Sequence, residues 1–336
     1  MKSTIRSMSR LFLFITFAVL SASSVLAQAV PDNAPISDQK PGSVLIYNYY
    51  GSSGSSAIDH ATENTRISLT NTHLQQAGMM SLFFIDPVGG VLDVYICLAP
   101  NQTGSWVMSD VDPGVKGYIV AVSVDATGRP NKFNYFTGSE YIKMASGYTA
   151  TVNAEAISAL VDSPTVGANG PLENGVAATL KFDGLRYNKV PSALALDYIP
   201  AIGDGSKTMV IVNQIGGSLF NGAKPDDLGG MTGTVYDLAT KAFFWQATIN
   251  SCQLRKVIAN DFPQTSPNMS TVIQPGLYGW MKFWPHGANK GVTGMVLYLN
   301  TSTHAPSDSR YNGGRNLHHM RQTTDELTIP IIQPAC

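Results

Sequence analysis

Short runs in which apolar and polar residues alternate, each closed by Gly, Pro, Asn or Asp, recur at about ten-residue spacing along most of this chain. Successive side chains of a strand point to opposite faces, so such a run buries one face and wets the other only as β-structure. In the first half the runs are Ser43–Tyr49, Arg66–Thr70, Met79–Ile85, Val91–Leu98, Gly117–Val124 and Tyr148–Val152. In the second they are Val176–Phe182, Ala193–Tyr198, Lys207–Val212, Gly233–Tyr236, Ala242–Ile249, Leu277–Trp284, Gly291–Leu299 and Leu327–Ile332. This rhythm fits antiparallel sheets rather than strands that alternate with helices. Only Asn153–Val161 carries apolar residues at helical spacing, with Asn153 placed as its cap, so one short helix is expected there.

The chain also resembles itself. Asp112-Pro113-Gly114-Val115-Lys116-Gly117-Tyr118 leads into a strand, as does Gln274-Pro275-Gly276-Leu277-Tyr278-Gly279-Trp280. Proline fixes the corner of such a turn and glycine tolerates the positive φ that it needs. Upstream landmarks match in the same order: Arg66–Asn71 with Thr208–Asn213, then strand, Asp turn and strand around Asp86 and around Asp237. Cys97 and Cys252 fall near corresponding ends, and Asn221–Gly230 is the largest insertion.

A duplicated all-β chain longer than one sandwich predicts two tandem antiparallel β-sandwich domains, immunoglobulin-like or jelly-roll-like, with one short helix. Their expected extents are residues 42–161 and 176–336, joined by a linker or long loop over 162–175 and preceded by a proline-bearing extended arm over 30–41.

Residues 1–29 read as a signal peptide, with Lys2, Arg6 and Arg10 before the apolar run Leu11–Leu20 and cleavage after Ala27 or Ala29. That run is shorter than the roughly 20 residues a spanning helix needs. A secreted or extracytoplasmic location, periplasm or cell surface, follows as an expectation, with no membrane span after cleavage. Charged residues make up 13% of the chain and net charge is −1, which argues against nucleic acid as a partner. The 44% of apolar residues argues for a packed core rather than disorder.

Three cysteines cannot all pair within one molecule. A Cys252–Cys336 disulfide would pin the C-terminal tail and is the expected bridge, with Cys97 a buried core residue. Cys97–Cys252 is the rival pairing, and the self-resemblance weakens it.

Catalytic motifs are absent: there is no His-Glu-x-x-His, no Cys-x-x-Cys and no Gly-x-Ser-x-Gly. His318 and His319 are adjacent and on a strand would face opposite sides. Calcium is the most physically reasonable ion, with Asp110 and Asp112 as weak candidate ligands beside a Pro-Gly turn and Asp226-Asp227 in the inserted loop. No other cofactor is expected. Aromatics gather in Phe243-Phe244-Trp245 and around Trp280, Phe283 and Trp284, where exposed rings would suit a sugar or a protein partner. The expected function is a non-enzymatic envelope or surface protein with a structural, adhesive or self-associating role, whose partners are proteins or glycans at the cell surface. The alternative is a secreted glycan-binding module or calcium-dependent hydrolase.

Overall fold

A computed structural model describes residues 35–52, 63–145, 148–167, 170–171, 173–299 and 312–335. The expected signal peptide, the first residues of the arm and Cys336 lie outside them. The described residues belong to one compact unit, Asp32–Cys336, and the protein is 55% strand and 4% helix.

The first half forms β1 Val44–Gly51, β2 Asn64–Asn71, β3 Gly78–Ile85, β4 Val91–Leu98, β5 Thr103–Val107, β6 Lys116–Val124, β7 Phe136–Lys143, β8 Thr149–Asn153 and β9 Glu155–Ile157. A ribbon follows, β10 Val166–Gly167 with β11 Gly170–Pro171. The second half forms β12 Ala177–Lys181, β13 Val190–Pro200, β14 Thr208–Gln214, β15 Gly217–Ser218, β16 Gly229–Tyr236 and β17 Ala242–Ile249. It ends with β18 Gln253–Val257, β19 Tyr278–Pro285, β20 Val292–Tyr298, β21 Gly313–Asn316, β22 His318–Thr323 and β23 Glu326–Pro330. The four-residue helices α1 (Met108–Val111) and α2 (Met269–Val272) precede β6 and β19.

These strands make five main sheets: β4-β3-β6-β1-β9, β5-β2-β7-β8, β18-β14-β20-β21, β17-β16-β19-β13-β22 and β12-β23-β15, here blades 1 to 5. Their arrangement is a five-bladed β-propeller. The apolar cores explain why the sheets stay together. Leu45, Tyr47, Ile67, Leu69, Leu82 and Ile119 join blade 1 to blade 2. Ile142, Val152, Ile211 and Met295 join blade 2 to blade 3. Val210, Val212, Met231, Trp245 and Phe283 join blade 3 to blade 4. Val44, Ile46, Val120, Leu180, Leu327 and Ile329 join blade 1 to blade 5, and Val190 of β13 enters the same core. Alternation supplies both faces at once, since Val44 and Ile46 point into one core and Leu45 and Tyr47 into the other.

Two tandem sandwiches are therefore the wrong architecture. A sandwich pair needs two closed cores with a linker between them, whereas here residues of both halves share cores across the expected boundary. Segment 162–175 is also tied down, since Glu173 pairs with Arg129 at 2.8 Å and the ribbon β10–β11 lies within it. No helix forms over Asn153–Val161: Asn153 ends β8, Glu155–Ile157 is β9 and Ala159 bridges Tyr187. Val44, Leu45 and Ile46 of β1 pair with Ile157, Ala156 and Glu155 of β9. A strand buried on both faces shows apolar residues at every spacing, so periodicity alone cannot separate it from a helix. The described part of the arm does not extend freely: Ser37 bridges Ala156, and Ile36 is buried.

Blades 1 and 4 share a strand order. Counting from β1 and from β13, each runs fourth-third-sixth-first beside a late edge strand, apart from the short β15. A register shift interrupts β1 between Tyr47 and Tyr50, and another interrupts β13 between Leu196 and Ile199. The two Pro-Gly turns sit before equivalent strands, with Gly114 at φ 82° and Gly276 at φ 78°. Gly117 and Gly279 follow where strands touch: a Cβ would lie 1.9 Å from the Ile85 carbonyl oxygen in one and 2.4 Å from that of Tyr236 in the other.

These contacts separate two kinds of glycine. Gly117→Ala must move backbone and should cost about 1–3 kcal/mol, whereas a Cβ on Gly276 meets nothing within 4 Å and Gly276→Ala should cost only its φ penalty of about 1 kcal/mol. Urea unfolding of the two variants should give that order, and equal midpoints would remove the close-approach argument.

Candidate functional site

Where four blades meet, the interior turns polar. Asn48 lies within the register shift of β1, a bulge that turns a side chain out of the regular alternation. Its amide donates to Glu155 Oε2 of β9 at 3.0 Å and to Asn316 Oδ1 of β21 at 2.9 Å. The Asn213 amide of β14 donates to the Asn48 carbonyl at 2.9 Å and to its Oδ1 at 3.0 Å. Gln253 of β18 donates to Asn213 Oδ1 at 2.8 Å. His319 Nε2 of β22 lies 2.5 Å from Glu155 Oε1. Glu140 of β7 accepts the Tyr49 N–H at 3.2 Å. Residues from blades 1, 2, 3 and 4 thus meet in one network, and Asn48, Glu140, Glu155 and Asn213 are each at most 1% exposed.

Charge at this junction is distributed by environment. Burial drives the Glu140 carboxyl well above its ordinary range, and the nearby Glu155 pushes the same way against the N–H groups of Tyr49 and Asn48. Burial alone would lower the His319 imidazolium, but the Glu155 carboxylate overrides it and the net shift is upward. Asn48, Glu140, Glu155 and Asn213 are sealed from solvent, whereas His319 keeps 19% of its side chain exposed; the buried network fixes the angles at which the blades meet.

Asp110 and Asp112 stand in different local settings. Asp110 lies within α1, while Asp112 Oδ2 accepts the Tyr50 hydroxyl at 2.6 Å and its carbonyl accepts the Ser52 hydroxyl at 2.7 Å. Among the described residues no group of three or more His, Cys, Asp or Glu side chains is placed to hold a metal ion. The expected Cys252–Cys336 bridge is also corrected: Cys252 is a free, buried thiol and Cys97 is in a disulfide. Cys252 donates to the Asp86 carbonyl at 3.2 Å, and burial pushes its thiol up to about 11. Gly114 and Gly276, beside Pro113 and Pro275, hold turns, and Gly117 and Gly279 hold strand contacts; none of the six touches a cleft chemistry. His318 and His319 separate as adjacent strand residues must, His318 toward Asp197 at 3.1 Å and His319 toward Glu155. Sequence reasoning missed Glu140 and Glu155, because β7 shows weak alternation and Glu155 fell in the expected helix.

The accessible chemistry lies on surfaces. One cleft of about 590 Å³ is bounded by Leu238, Phe243, Val272, Leu277 and Tyr278. Another of about 360 Å³ contains Asp183, Asp226, Asp325 and Glu326 beside Lys181. Asp325 is buried there, held by the Gly291 N–H at 2.7 Å, and burial raises its carboxyl to about 6. Along β19 the side chains facing away from the core are Tyr278, Trp280, Lys282 and Trp284, all partly exposed. Tyr236 stacks on Trp280 with centroids 4.3 Å apart, and Lys282 Nζ stands 5.5 Å from the Tyr236 ring centre. No helix among the described residues is long and apolar enough to cross a membrane.

Glu140, Asp325 and His319 all bind protons more tightly folded than unfolded. Their contribution is complete below the unfolded values and is lost as pH rises through the folded ones, about 6 for Asp325. Glu140→Gln should match wild type at pH 4 and exceed it at pH 8 by at least about 1 kcal/mol in unfolding free energy. A variant less stable than wild type at pH 8 would show that the carboxylate is needed as a charge. For the cysteines, a thiol reagent at pH 8 should label Cys252 only after unfolding, and Cys97 only after reduction, as read by peptide mass mapping. No family model matches the sequence, and no curated protein matches it, so function rests on these surfaces and their geometry.

Proposed function

We propose that this is a non-enzymatic extracytoplasmic protein that works at the cell surface by presenting sheet edges and faces to partners, copies of itself among them. The observation that carries this reading is a pair of long open edges. β4 and β17 are eight residues each and stand at the outer end of blades 1 and 4, and among the described residues each pairs on one side only. An unpaired edge offers a row of backbone donors and acceptors to an added strand. Leu92, Tyr95 and Phe244 are exposed on these same strands, 38%, 39% and 58% respectively. Blades 1 and 4 have the same strand order and similarly placed bulges, which supports descent from one duplicated unit and gives the molecule two related edges for head-to-tail or paired assembly.

The sealing of Glu140 and Glu155 supports the non-enzymatic part of this reading, since both carboxylates serve the blade junction. Export supports the rest: a basic, apolar and small-residue segment at residues 1–29 is the pattern of a cleaved leader.

Light scattering across a concentration series is the direct test. The mature protein should assemble beyond the monomer, and Tyr95→Lys together with Thr248→Lys should return it to monomer with an unchanged melting temperature. A wild-type protein that stays monomeric at all concentrations, and is not retained on cells of its host, would overturn the proposal.

A further inference from the structure

The outward face of blade 4 is better equipped than an idle surface. Registers place it as a grid. Trp284 of β19 pairs with Thr232 of β16, Lys282 lies between Thr234 and Ala195 of β13, and Trp280 faces Tyr236. Phe244 of β17 pairs with Thr234 at one margin, and Arg321 of β22 pairs with Ala193 at the other. Core-forming residues of β19 occupy the opposite positions, since Met281 and Phe283 are buried. Of blade 4, only Val190 enters the core shared with blade 5, and Trp280, Lys282 and Trp284 keep part of their surface exposed.

Two features of the face point to one kind of ligand. The first is a line of aromatic side chains. From Tyr278 to Trp284 the strand advances six steps, about 20 Å at the rise of an antiparallel strand, and the line starts beside the 590 Å³ cleft that Tyr278 helps to line. A row of partly exposed rings with hydroxyl and amide neighbours suits a ligand that is apolar on its faces and polar at its rim. A linear chain of pyranose rings has that form, C–H groups above and below and hydroxyls around the edge.

The second feature is charge. Lys282 sits in the middle of the line and Arg321 at its side, and among the described residues neither has an acidic partner. Asp197, the acid of β13, is already engaged by Arg315 and by His318. This local positive character is not a general excess, because the whole chain has a net charge of −1. A neutral glycan would need the rings but would leave both cations unanswered; a carboxylate-bearing one answers both.

We infer that the outer face of blade 4 binds a linear, carboxylate-bearing polysaccharide along β19, with Trp284 and Trp280 as stacking surfaces and Lys282 and Arg321 as partners of the carboxylates. The inference is separate from self-association through the edges and rests on the non-enzymatic reading only in that the polymer is held and not cut.

Native affinity electrophoresis of the mature protein through polygalacturonate tests it, with a neutral hydroxyethylcellulose gel beside it. Polygalacturonate should retard wild type and the neutral polymer much less. Trp284→Ala should weaken retardation at least tenfold and Lys282→Gln severalfold, both with melting temperatures near wild type, and added salt should weaken binding of wild type more than of Lys282→Gln. Should Trp284→Ala fail to fold, Lys282→Gln with Arg321→Gln carries the same test through charge alone. Absence of retardation by polygalacturonate would overturn the inference. So would equal retardation in the neutral gel with no change in Lys282→Gln, or retardation unchanged in every variant. The polymer recovered afterwards is sized: shortening, with retention still dependent on Trp284, sustains the binding face and overturns the non-enzymatic reading alone.

Discussion

Asn48 is the point on which the arrangement of blades depends. Its side chain and carbonyl bind Glu155 of its own blade and Asn213 and Asn316 of another, and Glu155 in turn holds His319 of a third. Apolar packing between sheets is non-directional and tolerates sliding. A buried polar network does not, because each member left unpaired in a low-dielectric interior costs the desolvation of that group. The cores draw the blades together, and the network selects the angle at which they meet. The bulge in β1 follows from this demand, since a regular strand would have sent Asn48 into one of the apolar cores that flank it.

Much of the strand content was legible in the sequence, and the architecture was not. β1, β3, β4, β6, β14, β17 and β20 lie where alternation and turn residues put them, because each buries a well-defined set of side chains. β9 was misread because its neighbours cover both of its faces, and β7 because its Thr, Gly, Ser and Glu residues hide a strand whose pairing with β2 runs over eight residues. Sandwich and propeller differ in which sheet faces which, and a single sequence carries little of that information: the same alternating strand serves either. The junction was least legible of all. Asn48, Asn213 and Asn316 are ordinary turn or strand residues until the fold brings them together across more than 100 positions of chain.

The cysteines show how one long-range contact changes a local reading. Pairing Cys252 with the tail was attractive because a terminal bridge restrains a frayed end. Instead the Cys252 thiol donates to the turn that joins β3 and β4, in the core between blades 1 and 5. Cys97 stands on the open edge strand β4, where a small buried residue would have no reason to be placed, and there a disulfide can restrain an otherwise one-sided strand.

Sparse charge gives the surface its meaning. With charged residues at 13% of the chain, most exposed polar contact comes from hydroxyls and amides, and each unpaired cation stands out against a neutral field. The acids are largely committed, Glu155 to His319, Asp112 to Tyr50, Glu63 to Lys116 and Asp197 to Arg315. Lys282 is different: its ammonium stands over the Tyr236 ring, which orients the charge without neutralising it. An ammonium so placed has little effect on stability and a large one on what can settle beside it, because a carboxylate arriving on the ring face meets a full, oriented charge. The strand that carries it keeps its buried residues on the other side, so the face can vary in ligand preference without disturbing the core that holds blades 3 and 4 together.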